Sequence, residues 1–500
     1  MILHDLIKSF QINANRNALC IKDEYFTFQD LSQKVAGLIS VIESNQRMNN
    51  SSKIALVCSD SIYTYASILA LWFLKKAYVP LGMHNPVERN LSILTSAEID
   101  CILSSELLLD DRYHSYEIVN PKSMAVSNFD TLEFGKREAD LAYILFTSGS
   151  TGIPKGVPIS FRNLTAFINA FQSSPFTISE NDRCLQMFEL TFDVSISSFL
   201  IPLLKGACVF TVPTDVIKYI HVLKLIEKYC LTSIQIVPSV IKLAAPLLNR
   251  ITFTSVKNCI LTGEATSVDL LPIWSKCLPN AAIYNFYGPT EATIYCSRYL
   301  IDLNSVKSYN QLLAIGKPFA GISFLIVDEN LKEVKKGEKG ELLISGEQIT
   351  NGYLNNEQKN SDLFLNMIVN GRQSIFYRSG DLCFQDESDD YYYCGRLDNQ
   401  VKIQGFRVEL SEIEMLIRSY FHLNNIAFVK PSKAGTNEIW QVIEGLSQID
   451  EADIMNHCKS NLPTYMIPSK IIQMETFPLT SSGKTDRGKI KSLINDRFGA

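Results

Sequence analysis

No run of about 20 apolar residues occurs in this 500-residue chain, and a membrane-spanning helix needs one. The most apolar stretch, Ile62 to Leu74, is broken by Tyr and Thr and followed by Lys75 and Lys76. The N-terminus, MILHDLIKSF, carries Asp5 among its apolar residues and has no small-residue cleavage site, so it does not read as a signal peptide. Histidines are few, six in all, and scattered; none of the twelve cysteines forms a C-x-x-C pair. That spacing points to reduced thiols in the cytoplasm, not to zinc or a disulfide framework. Basic residues are not in excess: 47 against 52 acidic ones gives a net charge of −5, which argues against a nucleic-acid-coating protein. Repeats and low-complexity tracts are lacking too, so collagen, coiled coil and disorder are excluded. What remains is a chain with 46% hydrophobic and 20% charged residues, long enough for one large and one small domain with a sizeable core.

Short apolar runs alternate with amphipathic stretches. Strands are expected at Lys53–Cys58, Asp100–Leu103, Leu141–Phe146, Cys208–Val212, Ser233–Val237, Asn258–Leu261 and Ala281–Asn285, and helices at Ile62–Lys76 and Asn163–Phe171. Repeated βα alternation is the pattern of an α/β protein with largely parallel sheets. From about residue 310 to 397, Gly and short alternating segments (Ser323–Asp328, Gly340–Ser345, Ile375–Phe384) indicate a β-rich subdomain. The boundary falls at Arg396–Asn399. It separates an N-terminal domain, residues 1–397, from a small α+β domain, residues 398–500. In the latter, Val401–Glu409 reads as a strand. Ser411 reads as an N-cap with Glu414 at N3, opening a helix whose buried face is Ile413, Leu416, Ile417 and Tyr420.

The segment Thr147-Ser-Gly-Ser-Thr-Gly-Ile-Pro-Lys-Gly156 follows an apolar strand directly. Its three glycines let backbone N–H groups approach an anion, its four hydroxyls donate, and Lys155 supplies charge: a set suited to a polyphosphate. The spacing is neither that of a Walker A loop nor G-x-G-x-x-G; a flexible linker is the plainer reading.

That segment resembles the phosphate loop of the adenylate-forming superfamily, which includes acyl-CoA synthetases, luciferases and the adenylation domains of nonribosomal peptide synthetases. Further resemblances follow in the family's order: Asn285-Phe-Tyr-Gly-Pro-Thr-Glu291 to its adenine and magnesium segment, Tyr377-Arg-Ser-Gly-Asp-Leu382 to its ribose segment, the stretch Gly395 to Glu409 to its hinge, and Pro478 to Arg487 to its catalytic-lysine loop. The resemblance covers nearly the whole chain. It implies a mobile C-terminal domain, ATP and Mg²⁺ as cofactors, and two half-reactions. A carboxylate attacks the α-phosphorus of ATP and releases pyrophosphate; a thiol then attacks the acyl-adenylate and releases AMP.

The resemblance also assigns roles. Lys484 and Glu291 are implied as catalytic, Glu291 as the Mg²⁺ ligand. Nucleotide contacts are implied for Thr147, Ser148, Gly149, Thr151, Lys155, Gly263, Glu264, Asn285, Phe286, Tyr287 (stacked on adenine), Gly288, Pro289, Thr290, Asp381, Tyr393 and Arg396, and Asp398 is the implied hinge. Taken alone, each has a plainer reading: Glu291 a helix-start carboxylate, Asp381 a turn residue, Arg396 a surface ion pair, Lys484 an exposed tail lysine.

Asp193, in Leu190-Thr-Phe-Asp-Val-Ser195, stands in a largely apolar stretch, where a carboxylate is costly unless paired. Locally it also reads as a helix N-terminal Asp with Ser195 nearby. The matching Asp of amino-acid-adenylating members pairs with the substrate ammonium, and fatty-acid and aryl-acid activators generally lack it. The implied side-chain pocket comprises Val194, Ser197, Gln235, Ile260, Thr262, Phe286, Ile294 and Tyr295, and Lys484 is implied as a further substrate contact, bridging carboxylate and α-phosphate. No acid or base stands among the first eight, so a small or medium neutral amino acid is expected. Among stand-alone members the chain resembles D-alanine–D-alanyl carrier protein ligases, though it has Thr262 where they usually carry Cys, and Phe286 is bulkier. D-Alanine is the leading candidate; the alternatives are another amino acid for nonribosomal peptide synthesis, an acyl-CoA synthetase, or a degenerate nucleotide-binding module. No carrier sequence follows residue 487, so the expected partner is a separate phosphopantetheinyl carrier protein, unless the chain is cut from a larger synthetase. The enzyme is expected to be a cytoplasmic monomer without nucleic-acid or membrane partners.

Overall fold

A computed structural model describes every residue except 1, 107–109, 124–128, 130–139, 150–153, 370, 446–449, 481–484 and 499–500, and only the backbone of residue 372. The chain forms two compact units. The first comprises Met1–Met83, Ile93–Phe146 and Lys155–Asp398; the second comprises His84–Ser92, Thr147–Pro154 and Asn399–Ala500.

The first unit is α/β. Its largest sheet has nine strands. Asn17–Ile21, Cys208–Thr211, Arg183–Gln186, Ser233–Ile236, Asn258–Leu261 and Ala282–Tyr287 run parallel through the middle. Antiparallel strands close both edges: Glu24–Thr27 on one side, Ser297–Leu300 and Lys317–Pro318 on the other. The central strands are short and almost wholly buried, as sheets covered on both faces require. A second sheet of six strands is built around Lys53–Cys58, Ala77–Gly82 and Leu141–Thr147. The helix Ile62–Phe73 is buried almost all round and opens on Ser61, whose hydroxyl accepts from Tyr63 N–H. It stops three residues short of the expected Lys76 because Lys75 takes a left-handed φ of 68°. At 12 residues it is too short to span a bilayer. No helix among the described residues is long and apolar enough to cross a membrane.

The β-rich region is a five-stranded antiparallel sheet of Ile322–Val327, Gly340–Gly346, Arg372–Gln385, Phe364–Val369 and Tyr391–Arg396. Its register sets Asp381 opposite Arg396.

In the second unit, Asn425–Pro431, Asn437–Glu444 and Lys470–Met474 form a three-stranded sheet. Alternation along these strands feeds two cores. Ala427, Ile439 and Ile443 join Ile413 and Ile417 of the helix Leu410–Phe421 on one face; Ile426, Phe428, Trp440 and Val442 join Ile490 and Ile494 on the other. Three sequence expectations fail here. Val401–Glu409 is a hairpin, Gln400–Ile403 with Phe406–Glu409, because Gln404 and Gly405 both adopt positive φ, as a two-residue hairpin turn demands. The helix starts at Leu410, not after Ser411, and Glu414 makes no capping box. Its carboxylate instead accepts from Ala427 N–H at 2.9 Å and from the Arg487 guanidinium at 2.8 Å. Tyr420 is 64% exposed and stacks on His457 with 4.1 Å between ring centroids.

Candidate functional site

In open α/β sheets, ligands bind beyond the carboxyl ends of the parallel strands. Gln235, Ile260, Thr262 and Asn285–Tyr287 lie at those ends in the nine-stranded sheet, with Gln235 paired to Ile260 and Ile260 to Tyr284. Gly263 follows with a φ of 82°.

Three polar clusters occupy the first unit. In one, Asp381 is held from two sides: Tyr287 Oη donates to Oδ2 at 2.5 Å and Arg396 Nη1 to Oδ1 at 2.7 Å. Arg396 turns its remaining fork on Asp398, with Nε and Nη2 each 2.6 Å from a carboxylate oxygen. Gly380, at φ 71°, leaves room for that guanidinium; a Cβ there would sit 2.6 Å from Nη2. Burial, and then the Asp381 charge, push the Tyr287 and Tyr393 hydroxyls well up, so both stay neutral. A carboxylate has about four lone-pair positions. Asp381 thus keeps acceptor capacity for a vicinal diol such as ribose.

The second cluster is centred on Glu291, wholly buried in the short 3₁₀ turn Thr290–Ala292. Tyr353 Oη donates to its Oε1 at 2.6 Å, and Lys155 Nζ lies 5.2 Å from the Tyr353 ring centroid. A buried carboxylate and a buried ammonium thus share one tyrosine. A hard anionic oxygen of this kind suits Mg²⁺; among the described residues no group of three His, Cys, Asp or Glu side chains gathers as a preformed metal cage. Gly288 has no room for a side chain, since a Cβ would meet Ile294 O at 2.4 Å. Asn285 is tied down on both sides, accepting from Thr266 Oγ1 and donating to Ala314 O, each at 2.9 Å. Glu264 accepts from Ser239 N–H at 2.9 Å, at the start of the helix Pro238–Leu248.

The third cluster gathers residues expected to line an amino-acid pocket. Asp193 is 3% exposed and occupies the N-cap of the helix Val194–Leu204, yet its side chain makes no capping hydrogen bond. The local reading placed it at a helix start, and there it is; the carboxylate is simply not used for the helix. Val194, Ser197, Gln235, Ile260, Thr262, Phe286, Ile294 and Tyr295 are all buried. Ser197 Oγ and Tyr295 Oη both donate to Gln235 Oε1, at 2.9 and 2.7 Å. The Phe286 and Tyr295 rings meet edge-on at 5.2 Å.

Of the expected phosphate loop, Thr147, Ser148 and Gly149 belong to the second unit and Lys155 to the first. Ser148 Oγ donates to Arg407 O at 2.9 Å and accepts from Glu409 N–H at 3.0 Å. Gly149 N–H donates to Glu412 Oε2 at 3.0 Å, while Glu412 Oε1 pairs with Arg89 at 2.5 Å. Burial pushes the Glu412 carboxyl up, with Arg89 and the Gly149 N–H opposing it. Thr147 Oγ1 is buried without a hydrogen-bond partner among the described residues. Thr151 and Lys484 lie outside the described residues.

Sequence reading missed Tyr353, which joins Glu291 to Lys155, and Gln348, whose Nε2 donates to Tyr295 O at 2.7 Å. Neither sits in a segment of unusual composition, and each acts across more than fifty residues.

A family model described as AMP-binding enzyme matches residues 8–354. Curated relatives include gramicidin S synthase 1 of Brevibacillus brevis, 29% identical over 484 residues, and tyrocidine synthase 3 of Brevibacillus parabrevis, 29% identical over 490 residues. The matches cover 95% and 96% of this chain but only 43% and 7% of those proteins. The fold is that of the Vibrio cholerae adenylation domain AlmE in complex with glycyl-adenosine-5′-phosphate, with a TM-score of 0.87, 24% identity, and 99% and 98% of the two chains covered. A four-domain nonribosomal peptide synthetase, AB3403, bound to AMP and glycine, matches with a TM-score of 0.71 and 26% identity over 98% of this chain and 36% of that one.

Proposed function

The chain belongs to the AMP-binding enzyme family, and from that premise we propose that it activates a small neutral α-amino acid as its aminoacyl-adenylate and then passes the acyl group to a carrier-protein thiol. The observation that carries the amino-acid reading is Asp193: a buried carboxylate at a helix N-cap that does not cap the helix. Placed beside the buried pocket residues, this carboxylate suits a substrate ammonium as an ion-pair partner.

In the first half-reaction, a substrate carboxylate oxygen forms a bond to the α-phosphorus of ATP as the bond to pyrophosphate breaks. Asp381, steadied by Tyr287 and Arg396, binds the ribose hydroxyls. Asp193 orients the amino acid, so the reacting atoms are brought together without a covalent nucleophile from the protein. Lys155 and Lys484 supply positive charge to the phosphates. Glu291 would hold Mg²⁺, which when bound neutralises charge between phosphates. In the second half-reaction a phosphopantetheine thiol attacks the acyl carbon and AMP leaves. D-Alanine is the leading substrate, and the glycine bound to AB3403 supports a small side chain. The second reading, activation of another amino acid within a larger synthetase, is supported by the small share of the gramicidin S and tyrocidine synthases that this chain spans.

The test is pyrophosphate release with ATP and Mg²⁺ across D- and L-amino acids, fatty acids and aryl acids, with hydroxylamine to discharge the adenylate. A response to one small neutral amino acid, lost in Asp193→Ala and reduced roughly 10²–10³-fold in Lys484→Ala, is expected. A response to fatty or aryl acids that survives Asp193→Ala overturns the amino-acid reading.

A further inference from the structure

Resting on that reading, we infer that Tyr353 is a positioning residue for the polyphosphate end of ATP, and that Asn360 holds it in place. One phenol aims the Glu291 carboxylate with its hydroxyl and carries the Lys155 ammonium on its ring. All three side chains are buried. The hydroxyl donates to Glu291 Oε1 at 2.6 Å and lies 3.5 Å from Tyr377 Oη, while Lys155 Nζ sits 5.2 Å from the ring centroid. The two uses reinforce each other. A phenol that donates to a carboxylate is polarised, with its oxygen and ring made more negative, and a more negative ring face attracts a cation more strongly. Opposite charges are thus held by one rigid plate, with two groups that act on phosphates kept at fixed places relative to it.

The plate is fixed at its backbone as well. Asn360, in the helix Glu357–Leu363, closes a pair of hydrogen bonds around Tyr353: Tyr353 N–H donates to Oδ1 at 2.6 Å, and Nδ2 donates to Tyr353 O at 2.9 Å. No residue of that helix is buried, so its inward-turned carboxamide serves Tyr353 and not a core of the helix's own. On either side, Leu354 N–H donates to Gly156 O at 2.8 Å and Thr350 N–H to Glu291 O at 2.9 Å. The segment from Thr350 to Leu354 is therefore tied both to the strand Lys155–Ser160 and to the turn Thr290–Ala292, the two elements whose side chains Tyr353 aims. Phe364 backs the ring edge-on, with 5.6 Å between centroids. Charges held this way need little reorganisation when phosphate oxygens arrive.

The experiment titrates ATP and AMP into the full chain by calorimetry, with and without Mg²⁺ and with no amino acid present, for the wild type, Tyr353→Phe and Asn360→Ala. Thermal melting runs in parallel, and every titration is made below the lowest melting temperature. AMP keeps the ribose and α-phosphate but lacks the two phosphates that Glu291 and Lys155 are proposed to serve. Tyr353→Phe keeps the ring for Lys155 and removes only the hydroxyl on Glu291. It is expected to weaken ATP binding roughly tenfold with Mg²⁺ present, and to leave ATP binding without metal and AMP binding unchanged. Asn360→Ala loosens the whole plate and should weaken ATP binding with and without Mg²⁺, again sparing AMP. A loss of AMP affinity in step with that for ATP marks a merely structural role and overturns the proposal; so does unchanged ATP affinity in both variants. A wild type that binds neither nucleotide overturns the adenylation reading instead. The amino-acid reading is tested separately by the substrate panel, because no amino acid enters these titrations. If Tyr353→Phe does not fold, the ATP–AMP comparison in Asn360→Ala decides.

Discussion

The diol-binding role proposed for Asp381 calls for a carboxylate aimed before the diol arrives. At Asp381 the aiming is done by one neutral hydroxyl and one guanidinium, Tyr287 and Arg396, from different strands. Hydrogen bonds to a charged group contribute about 1.5–3 kcal/mol. Removing the carboxylate charge in Asp381→Asn is therefore expected to raise KM for ATP roughly 10- to 150-fold, measured by pyrophosphate exchange, with KM for the amino acid little changed. Tyr353→Phe leaves the buried Glu291 oxygen short of a donor. It should lower stability by about 1–3 kcal/mol in urea titration, and ATP-dependent turnover with it. At this scale the sequence was only partly legible. Asp381, Arg396 and Tyr287 lie in segments whose residue types and order matched a known pattern, and the structure brings them together. Tyr353 could not be read, because its hydrogen bond to Glu291 spans 62 residues of chain. Gln348 was hidden for the same reason. Gln235 was expected to line a pocket, but the Tyr295 hydroxyl reaches its oxygen only once the strand and the loop are folded side by side.

Elements follow rules of period and capping, and these are legible where one element competes with nothing else. Four of the six parallel strands of the large sheet, Cys208–Thr211, Ser233–Ile236, Asn258–Leu261 and Ala282–Tyr287, lie close to their expected places because short apolar runs between polar residues leave few other options; Asn17–Ile21 and Arg183–Gln186, each with a polar residue at its start, were not expected. The start of the helix at Leu410 was misplaced because the acidic residues that would suit its first turn are drawn elsewhere: Glu414 to Arg487 and Ala427 N–H, Glu412 to Arg89 and Gly149 N–H. Ser411→Ala is accordingly expected to change stability by less than about 0.5 kcal/mol, where loss of a true N-cap costs about 1 kcal/mol; urea unfolding distinguishes the two. Asp182, at the start of the strand Arg183–Gln186, gives an element-scale pH dependence. Burial raises its carboxyl, but Ser179 N–H, the hydroxyls of Thr232 and Ser179, and Lys257 more than reverse this, so the net shift is downward from 3.8. A carboxyl lowered on folding adds stability above its unfolded value and loses it as pH falls through the lower folded value. The destabilisation caused by Asp182→Asn should therefore be full at neutral pH and shrink on acidification below about 3.8, read by thermal melts across pH.

For the whole molecule, the chain leaves its larger unit for the last time at Asp398, whose carboxylate is clasped by Arg396. Asp398 is proposed as the hinge between two half-reactions, and hinges absorb large backbone changes in few residues. Asp398→Pro, which fixes φ, should preserve amino-acid-dependent pyrophosphate exchange and suppress loading of a carrier protein. Loss of both steps together would argue against a hinge there.

The chain carries twelve thiols of its own, nine of them buried. Burial pushes Cys208, Cys259 and Cys458 up to about 12, and Cys184 and Cys383 well above the ordinary thiol value. Since the thiolate is the nucleophile, these sulfurs are chemically silent at neutral pH. An enzyme that hands an activated acyl group to a visiting thiol faces a problem of chemoselectivity, for any reactive sulfur of its own would intercept the product. Packing nine cysteines away as small apolar residues removes those competitors from the proposed transfer and leaves Cys230 as the one exposed thiol among the twelve.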